Sequence, residues 1–352
     1  MSIYISGIQQ LGVGVQDADG AFAFCKQIFG TDARVFDEVS AAPLVQHYTG
    51  QQIHRRRVIL AANLNGGGAF EIWQYKDRDP VRLAAEIEIG MPGIFAGKIK
   101  SFDIEASHHF HLEQDLDVSD LLVNPLKQRH YYLQDEEGNH YNVIDYPIDC
   151  FTYIPFAGTS GGVAGAVIGC SDMERSLAFY RDILRYDRVV FDEQGTFEDL
   201  QDLPGGQLPL RRVLLEMSTP TRGPFSQLLG RSQIELIQVL GKPKKHIYAG
   251  RYSGDPGFFH LCYDIQGLEE LRQQHLTTGL TFTVDSLDTY DIGDAGGRFA
   301  YLEDPDGTLI QFVETHRLPL MEPGLEMDLR KRDPGKPIPR FILQGLRLSR
   351  EE

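Results

Sequence analysis

The sequence predicts an α+β protein built from four strand–helix–three-strand modules. Three observations carry this. First, a shift of 155 residues lays one stretch on another: Asp17 meets Asp172, Phe24 meets Phe179, Val35-Phe36-Asp37-Glu38 meets Val190-Phe191-Asp192-Glu193, and Arg56-Arg57-Val58 meets Arg211-Arg212-Val213. A register kept this long marks a duplicated unit. Second, residues 7–15 alternate apolar with Gly or Gln, and the spacing then becomes helical at Phe22, Cys25 and Phe29. Third, Asp304-Pro305-Asp306-Gly307 is a strong turn signal between two strand-like runs.

Module one follows from the alternation. Leu11, Val13 and Val15 form one face and Gln10 stands on the other; Asp17 or Asp19 caps the helix. Strands follow near 33–36, 57–62 and 69–75, the last with Glu71 and Trp73 on one face. Module two opens with a strand at 98–104. Its helix is illegible, because 112–120 is acidic and weakly periodic, and we read this module as a degenerate copy. Residues 150–160 read as a linker. Module three is the cleanest: Ser171 and Glu174 fit a capping box, and Leu177, Tyr180 and Leu184 make a buried helix face. Its last strand, 233–240, carries Glu235, and it gains a loop at 219–230. Module four opens on Gly257-Phe258-Phe259-His260 and closes on 309–314, with Gln311 in mid-strand. The expected division is 1–150, 161–317 and a Pro-rich, charged tail, 318–352, in which Phe341-Ile342-Leu343 docks on the body.

The 352 residues predict about two domains. A net charge of −16 opposes a nucleic-acid partner, which needs clustered Lys and Arg. No signal-peptide pattern is visible, and no apolar run approaches the ~20 residues that span a bilayer. Four scattered cysteines read as reduced thiols. The expectation is a cytoplasmic protein with a small-molecule partner, no nucleic acid and no membrane, with homodimerisation left open.

Four such modules, with an aspartate after the first strand and Asp-Pro-Asp-Gly before the last, resemble the vicinal oxygen chelate superfamily. That superfamily includes glyoxalase I, type I extradiol dioxygenases and the bleomycin resistance proteins. The resemblance covers residues 7–316, strongly in modules one, three and four and weakly in two. It implies paired modules, each pair an eight-stranded half-open cup with a divalent metal (Zn, Ni, Fe or Mn) on its concave face. Ligands would come from the first and last strand of each module. Tandem pairing is the expectation, because sequence neighbours usually pack together. It places Gly165, Glu235, His260 and Gln311 at the four ligand positions. Gly165 offers no side chain, so the implied metal ligands are Glu235, His260 and Gln311, with Glu235 also the catalytic proton shuttle. Gln311 stands where the glyoxalase pattern has Glu. The first half offers Gln10, Glu71, Ile99 or Ser101, and Asn142, and is not expected to bind metal. Pairing module one with four instead gives Gln10, Glu71, His260 and Gln311, the glyoxalase pattern with one Glu replaced.

Other residues are read as ordinary. His108, His109 and His111 lie in an acidic stretch and are expected in a solvated loop. Arg57 and Arg212 sit at repeated positions, which indicates the same structural role in both copies. Gly66-Gly67-Gly68 lacks the Lys of a phosphate loop and reads as a hairpin turn. Two functions remain: a metal-assisted lyase, isomerase or dioxygenase on a small oxygenated substrate, or a metal-free small-molecule-binding protein like the bleomycin-resistance branch.

Overall fold

Module one comprises β1 (Tyr4–Gly14), α1 (Ala18–Phe29), β2 (Ala33–Ala41), β3 (Arg55–Ala62) and β4 (Ala69–Tyr75). Asp17 caps α1 by accepting from the Asp19 amide, and Gly30 ends it in the left-handed conformation, φ 65°. Phe22, Cys25 and Phe29 are buried, as the spacing predicts. Module two is β5 (Gly93–Ser101), α2 (Ile104–Leu112), β6 (Asp117–Val118), β7 (Leu122–Val123), β8 (Arg129–Gln134) and β9 (His140–Asp145). Module three is β10 (Ser160–Gly169), α3 (Met173–Asp182), β11 (Arg188–Gly195), β12 (Leu210–Glu216), a short α4 (Ser226–Leu229) and β13 (Gln233–Val239). Module four is β14 (Gly257–Gln266), α5 (Leu268–Thr278), β15 (Val284–Asp285), β16 (Tyr290–Ile292), β17 (Ala295–Glu303) and β18 (Leu309–Pro319), with β19 (Glu326–Asp328) beyond. This is a computed structural model, and it describes residues 3–82, 86–146, 159–241, 244–278, 281–287, 290–292, 295–320 and 325–351. Most of the expected linker therefore lies outside the described residues.

The α+β class and the four modules are as the sequence predicts. The pairing is the second of the two arrangements. One sheet has the order β15-β17-β18-β14-β1-β4-β3-β2, joining module four to module one. The other has the order β11-β12-β13-β10-β5-β9-β8-β6, joining module three to module two. The segments 1–150 and 161–317 thus each give one module to each sheet. We call these the outer cup (modules one and four) and the inner cup (two and three). The helix-bearing faces of both sheets share one apolar core, in which Leu11, Phe70, Leu261 and Phe312 of the outer cup join Ile99, Tyr141, Ile168 and Leu236 of the inner.

Three local expectations change. The stretch holding His108, His109 and His111 is helical, capped by Asp103 on the Ala106 amide. His111 is a core residue, with Nδ1 2.6 Å from the Tyr131 hydroxyl and Nε2 2.9 Å from the Ile28 carbonyl. Burial pulls its pKa down to about 4. In α3 the cap is Asp172, not Ser171, which instead binds Asp306. The loop at 219–230 and the tail pack together: Leu228, Leu229, Ile338 and Leu343 form one cluster, whereas Phe341 is exposed. The glycine turn links β3 to β4 and also bridges the sheets, with the Gly68 amide donating to the Val163 carbonyl.

The ladders also correct the repeat register. Phe36 faces Leu60 and Glu38 faces Val58; Phe191 faces Leu214 and Glu193 faces Arg212. The offset is 155 on the first strand of each pair (191 − 36) and 154 on the second (214 − 60). The intervening loop is one residue shorter in module three. Arg57 therefore corresponds to Arg211, and Val58 to Arg212. Arg57 bridges Asp19 and Asp37, while Arg211 bridges Glu174 and Asp192, the same latch in both copies. Arg212 has no such role.

A fragment of residues 1–150 carries β1 and β5 without their partners β14 and β10. It should show no cooperative thermal transition by circular dichroism. Mixing it with a 151–352 fragment should restore one.

Candidate metal centre

At the middle of the outer cup β1 and β14 run antiparallel, with Gln10 opposite Cys262 and Gly12 opposite His260. The parallel neighbour β4 sets Glu71 beside Gly12, and β18 sets Gln311 beside Cys262. The result is an approximately twofold arrangement of Gln10, Glu71, His260 and Gln311. Glu71 Oε2 lies 3.2 Å from His260 Nε2, and Gln10 Nε2 lies 3.4 Å from Gln311 Oε1. The imidazole rests on the backbone of Gly12, where a Cβ would stand 2.4 Å from its Cε1. Glycine here is a space requirement. The alternation on β14 is as predicted: Leu261, Tyr263 and Ile265 enter the shared core.

All four side chains are buried, His260 completely. Yet His260 Nδ1, His260 Nε2 and Glu71 Oε2 have no hydrogen-bond partner in the structure. The 3.2 Å approach of the last two is too poorly aligned to be a hydrogen bond. Buried, unsatisfied polar atoms need a reason, and a cation held by one imidazole nitrogen and Glu71 Oε2 would meet two of these three. The residues fit a divalent cation: an imidazole nitrogen, a carboxylate oxygen and two amide oxygens. Among the described residues no three His, Cys, Asp or Glu side chains come together as a metal cluster; this set has only two of those types and is completed by amides. Trp73, Phe259 and Tyr301 surround the imidazole, with ring centroids 6.3, 4.5 and 5.8 Å away. Arg56 stacks on Trp73 at 3.9 Å.

The inner cup is filled differently. Glu235 is the counterpart of Glu71, since Leu214 faces Glu235 as Leu60 faces Glu71. Lys98 Nζ lies 2.6 Å from its Oε2, and Arg212 Nε binds its Oε1. Arg212 also holds Asp199 at 2.7 Å, and Asp199 accepts from His130 at 3.0 Å. Asn142 bonds both Lys98 and His130. Burial alone would raise the Glu235 pKa, but Arg212 and Lys98 outweigh it and hold it at about 2. Two fixed cations occupy the position a metal would need. The remaining cavity, about 10 Å³, is of the order of a single water.

Of the sequence-derived ligands, His260 and Gln311 come together and Glu235 does not join them. It is on the other sheet, neutralised by Lys98 and Arg212. Ile99 and Ser101 face away from the inner cup: Ile99 is in the shared core, and Ser101 bonds Ser107 of α2. Lys98 and Asp199 were not singled out from sequence. An alternation count on β5 anchored by Ile99 in the core would have turned Lys98 inward.

No family sequence model and no curated protein sequence matches the chain. Solved structures do. A Bacillus subtilis protein assigned as a dioxygenase superposes with a TM-score of 0.56 over 88% of this chain and 86% of its own, at 11% identity. Glyoxalase I from Zea mays superposes with a TM-score of 0.52 over 89% of this chain and 92% of its own, at 14% identity. The chain has the vicinal oxygen chelate fold. Gln10, Glu71, His260 and Gln311 stand on the first and last strands of the two modules of the outer cup.

Two buried carboxyls should respond oppositely to pH. Glu235 is held below its ordinary 4.5, so its stabilisation is complete above that value and lost as pH falls towards 2. Asp264, fully buried on β14, is pushed by desolvation from 3.8 to about 8. Its penalty is absent near pH 4 and grows as pH rises towards 8. Asp264→Asn should therefore stabilise the protein at pH 8 and do little at pH 4. Arg212→Ala, which leaves buried Glu235 with Lys98 alone and buried Asp199 with His130 alone, should cost about 3–5 kcal/mol. Arg211→Ala, on a surface latch, should cost at most about 1 kcal/mol. Urea titrations at pH 4, 6 and 8 check all three.

Proposed function

We propose that the outer cup holds a divalent metal on Gln10, Glu71, His260 and Gln311. On this reading the protein is a metal-assisted lyase, isomerase or dioxygenase acting on a small oxygenated substrate. The observation that carries the reading is the convergence of His260 and Glu71, buried and unsatisfied, with two amides on the floor of one cup. The inner cup has no equivalent demand, because Lys98 and Arg212 already neutralise Glu235.

A bound divalent ion supplies Lewis acidity towards substrate oxygens. The chain's own residues do the rest. His260 offers a nitrogen lone pair, its ring fixed in orientation by Gly12 beneath and Phe259 at its edge. Gln10 and Gln311 offer carbonyl oxygens and no charge. Glu71 is the one carboxylate of the set and so the group able to take a proton from substrate and return it. Trp73, Phe259 and Tyr301 exclude water and strengthen each of these interactions. A mixed nitrogen and oxygen set with one carboxylate suits Zn, Ni, Fe or Mn better than the all-oxygen ions.

Trp73 is the chain's single tryptophan and stands beside His260, so its fluorescence reports on this cup. Titrating metal-free protein with Ni²⁺ or Co²⁺ should quench it saturably at one ion per chain. His260→Ala should abolish that quenching and the metal found by mass spectrometry. Gln311→Glu should tighten binding by roughly ten-fold or more, since a carboxylate replaces an amide. Quenching unchanged in His260→Ala, together with no gain in Gln311→Glu, would rule the metal out and leave small-molecule sequestration.

A further inference from the structure

A segment packed against the aromatic residues around His260 has a counterpart in the other cup. In module one the β2–β3 connection forms a 3₁₀ turn, Pro43–Tyr48. In module three the equivalent connection forms another, Glu198–Leu200. By the 155 offset Pro43 corresponds to Glu198 and Leu44 to Asp199. Both turns lie over the concave face: Val45 and Tyr48 pack with Val58, Trp73 and Tyr301, and Leu200 packs with Tyr132 and Val167.

The fastenings differ. In the inner cup Asp199 is buried and bound to Arg212 and His130. Leu200 is fully buried, and the Pro204 carbonyl accepts from the Ile89 amide. In the outer cup the position of Asp199 is Leu44, 41% exposed, and that of Arg212 is Val58. The turn there is tied to module four by polar contacts. The Tyr48 hydroxyl donates to Glu303 at 2.8 Å and shares a hydrogen bond with Thr283, and the Tyr48 carbonyl accepts from the Ser253 amide. Gly50 and Gln51, at φ 66° and 62°, follow after Thr49. Such a residue pair in the left-handed region is a turn able to act as a pivot.

We propose that residues 42–52 are the gate of the outer cup, latched by Tyr48 across the two modules, while residues 197–207 are a fixed plug. Access to the fully buried His260 requires the gate to swing, because Val45 and Tyr48 pack on the Trp73, Phe259 and Tyr301 cluster that encloses its ring. A tyrosine hydroxyl at a partly exposed position opens far more readily than a buried ion network. The paired charges of the inner cup are the elements that would bolt the gate, and the outer cup lacks both.

The test needs no metal, so its failure is separable from that of the metal reading. Hydrogen exchange followed by mass spectrometry on the full chain should show amides of 43–52 exchanging on the order of ten-fold or more faster than those of 198–207. Tyr48→Phe, which keeps the ring and removes the latch, should raise exchange of 43–52 further and leave 198–207 unchanged. It should also raise acrylamide quenching of Trp73. Thr283→Val, which removes one of the two hydroxyl contacts, should give a smaller change in the same direction. Equal protection of both segments, or a Tyr48→Phe protein with unchanged exchange and quenching, would overturn the gate.

Discussion

The antiparallel pairing of β1 with β14 is the contact on which the rest depends. It joins the first module to the fourth, builds the outer cup, and leaves modules two and three to pair with each other. It also sets the chemistry. Because Gln10 lies opposite Cys262 and Gly12 opposite His260, the pair brings an amide and an imidazole to the centre of one concave face. The outer neighbours β4 and β18 then deliver Glu71 and Gln311 with no further choice. Gly12 is part of the same constraint: any side chain there would evict the His260 ring.

The two cups are the same fold put to opposite electrostatic uses. Each has a glutamate on the last strand of one module, Glu71 on β4 of module one and Glu235 on β13 of module three. In the outer cup the side chain opposite that region is Val58, and Glu71 keeps an unsatisfied oxygen. In the inner cup the equivalent residue is Arg212, reinforced by Lys98, and Glu235 is neutralised. Burying so many charges stabilises little by itself, since desolvation offsets most of the attraction. What it does is fix one arrangement of Asp199, His130, Asn142 and the plug. The outer cup keeps the opposite quality, a polar floor with unmet demand beneath a cover held by a hydroxyl.

Much of the fold was legible because its signals are local. Alternation on β1 and β10, the Asp17 cap, and the Asp304 turn each depend on a few adjacent residues. The orientation of His260 was legible for the same reason, as β14 has a clear apolar face. Module pairing was not, because it is decided by contacts between strands some 250 residues apart in sequence. Grouping Glu235 with His260 and Gln311 rested on tandem pairing, and the observed pairing sets it on the other sheet. A single-residue difference in loop length hid the rest: once β12 is shifted by one, Arg212 changes from a repeated surface arginine into an inward cation. In a strand, a slip of one residue exchanges the two faces. His111 was obscured because its helix has a weak apolar stripe and is held by tertiary partners, Tyr131 and Ile28.

The β1–β14 ladder also has a cost during biosynthesis. A ribosome adding about 5–20 residues each second needs roughly ten to fifty seconds to travel from one of these strands to the other. Throughout that interval β1 has emerged, with its hydrogen-bonding edge open and Leu11 and Val13 unprotected. Nascent-chain protection therefore falls most heavily on the earliest segment, which waits longest for its mate. The inner pair faces a shorter delay, with β5 and β10 far closer along the chain. Order of assembly is thus built into the topology: the middle of the molecule can close first, and the half that carries the open cup is completed last.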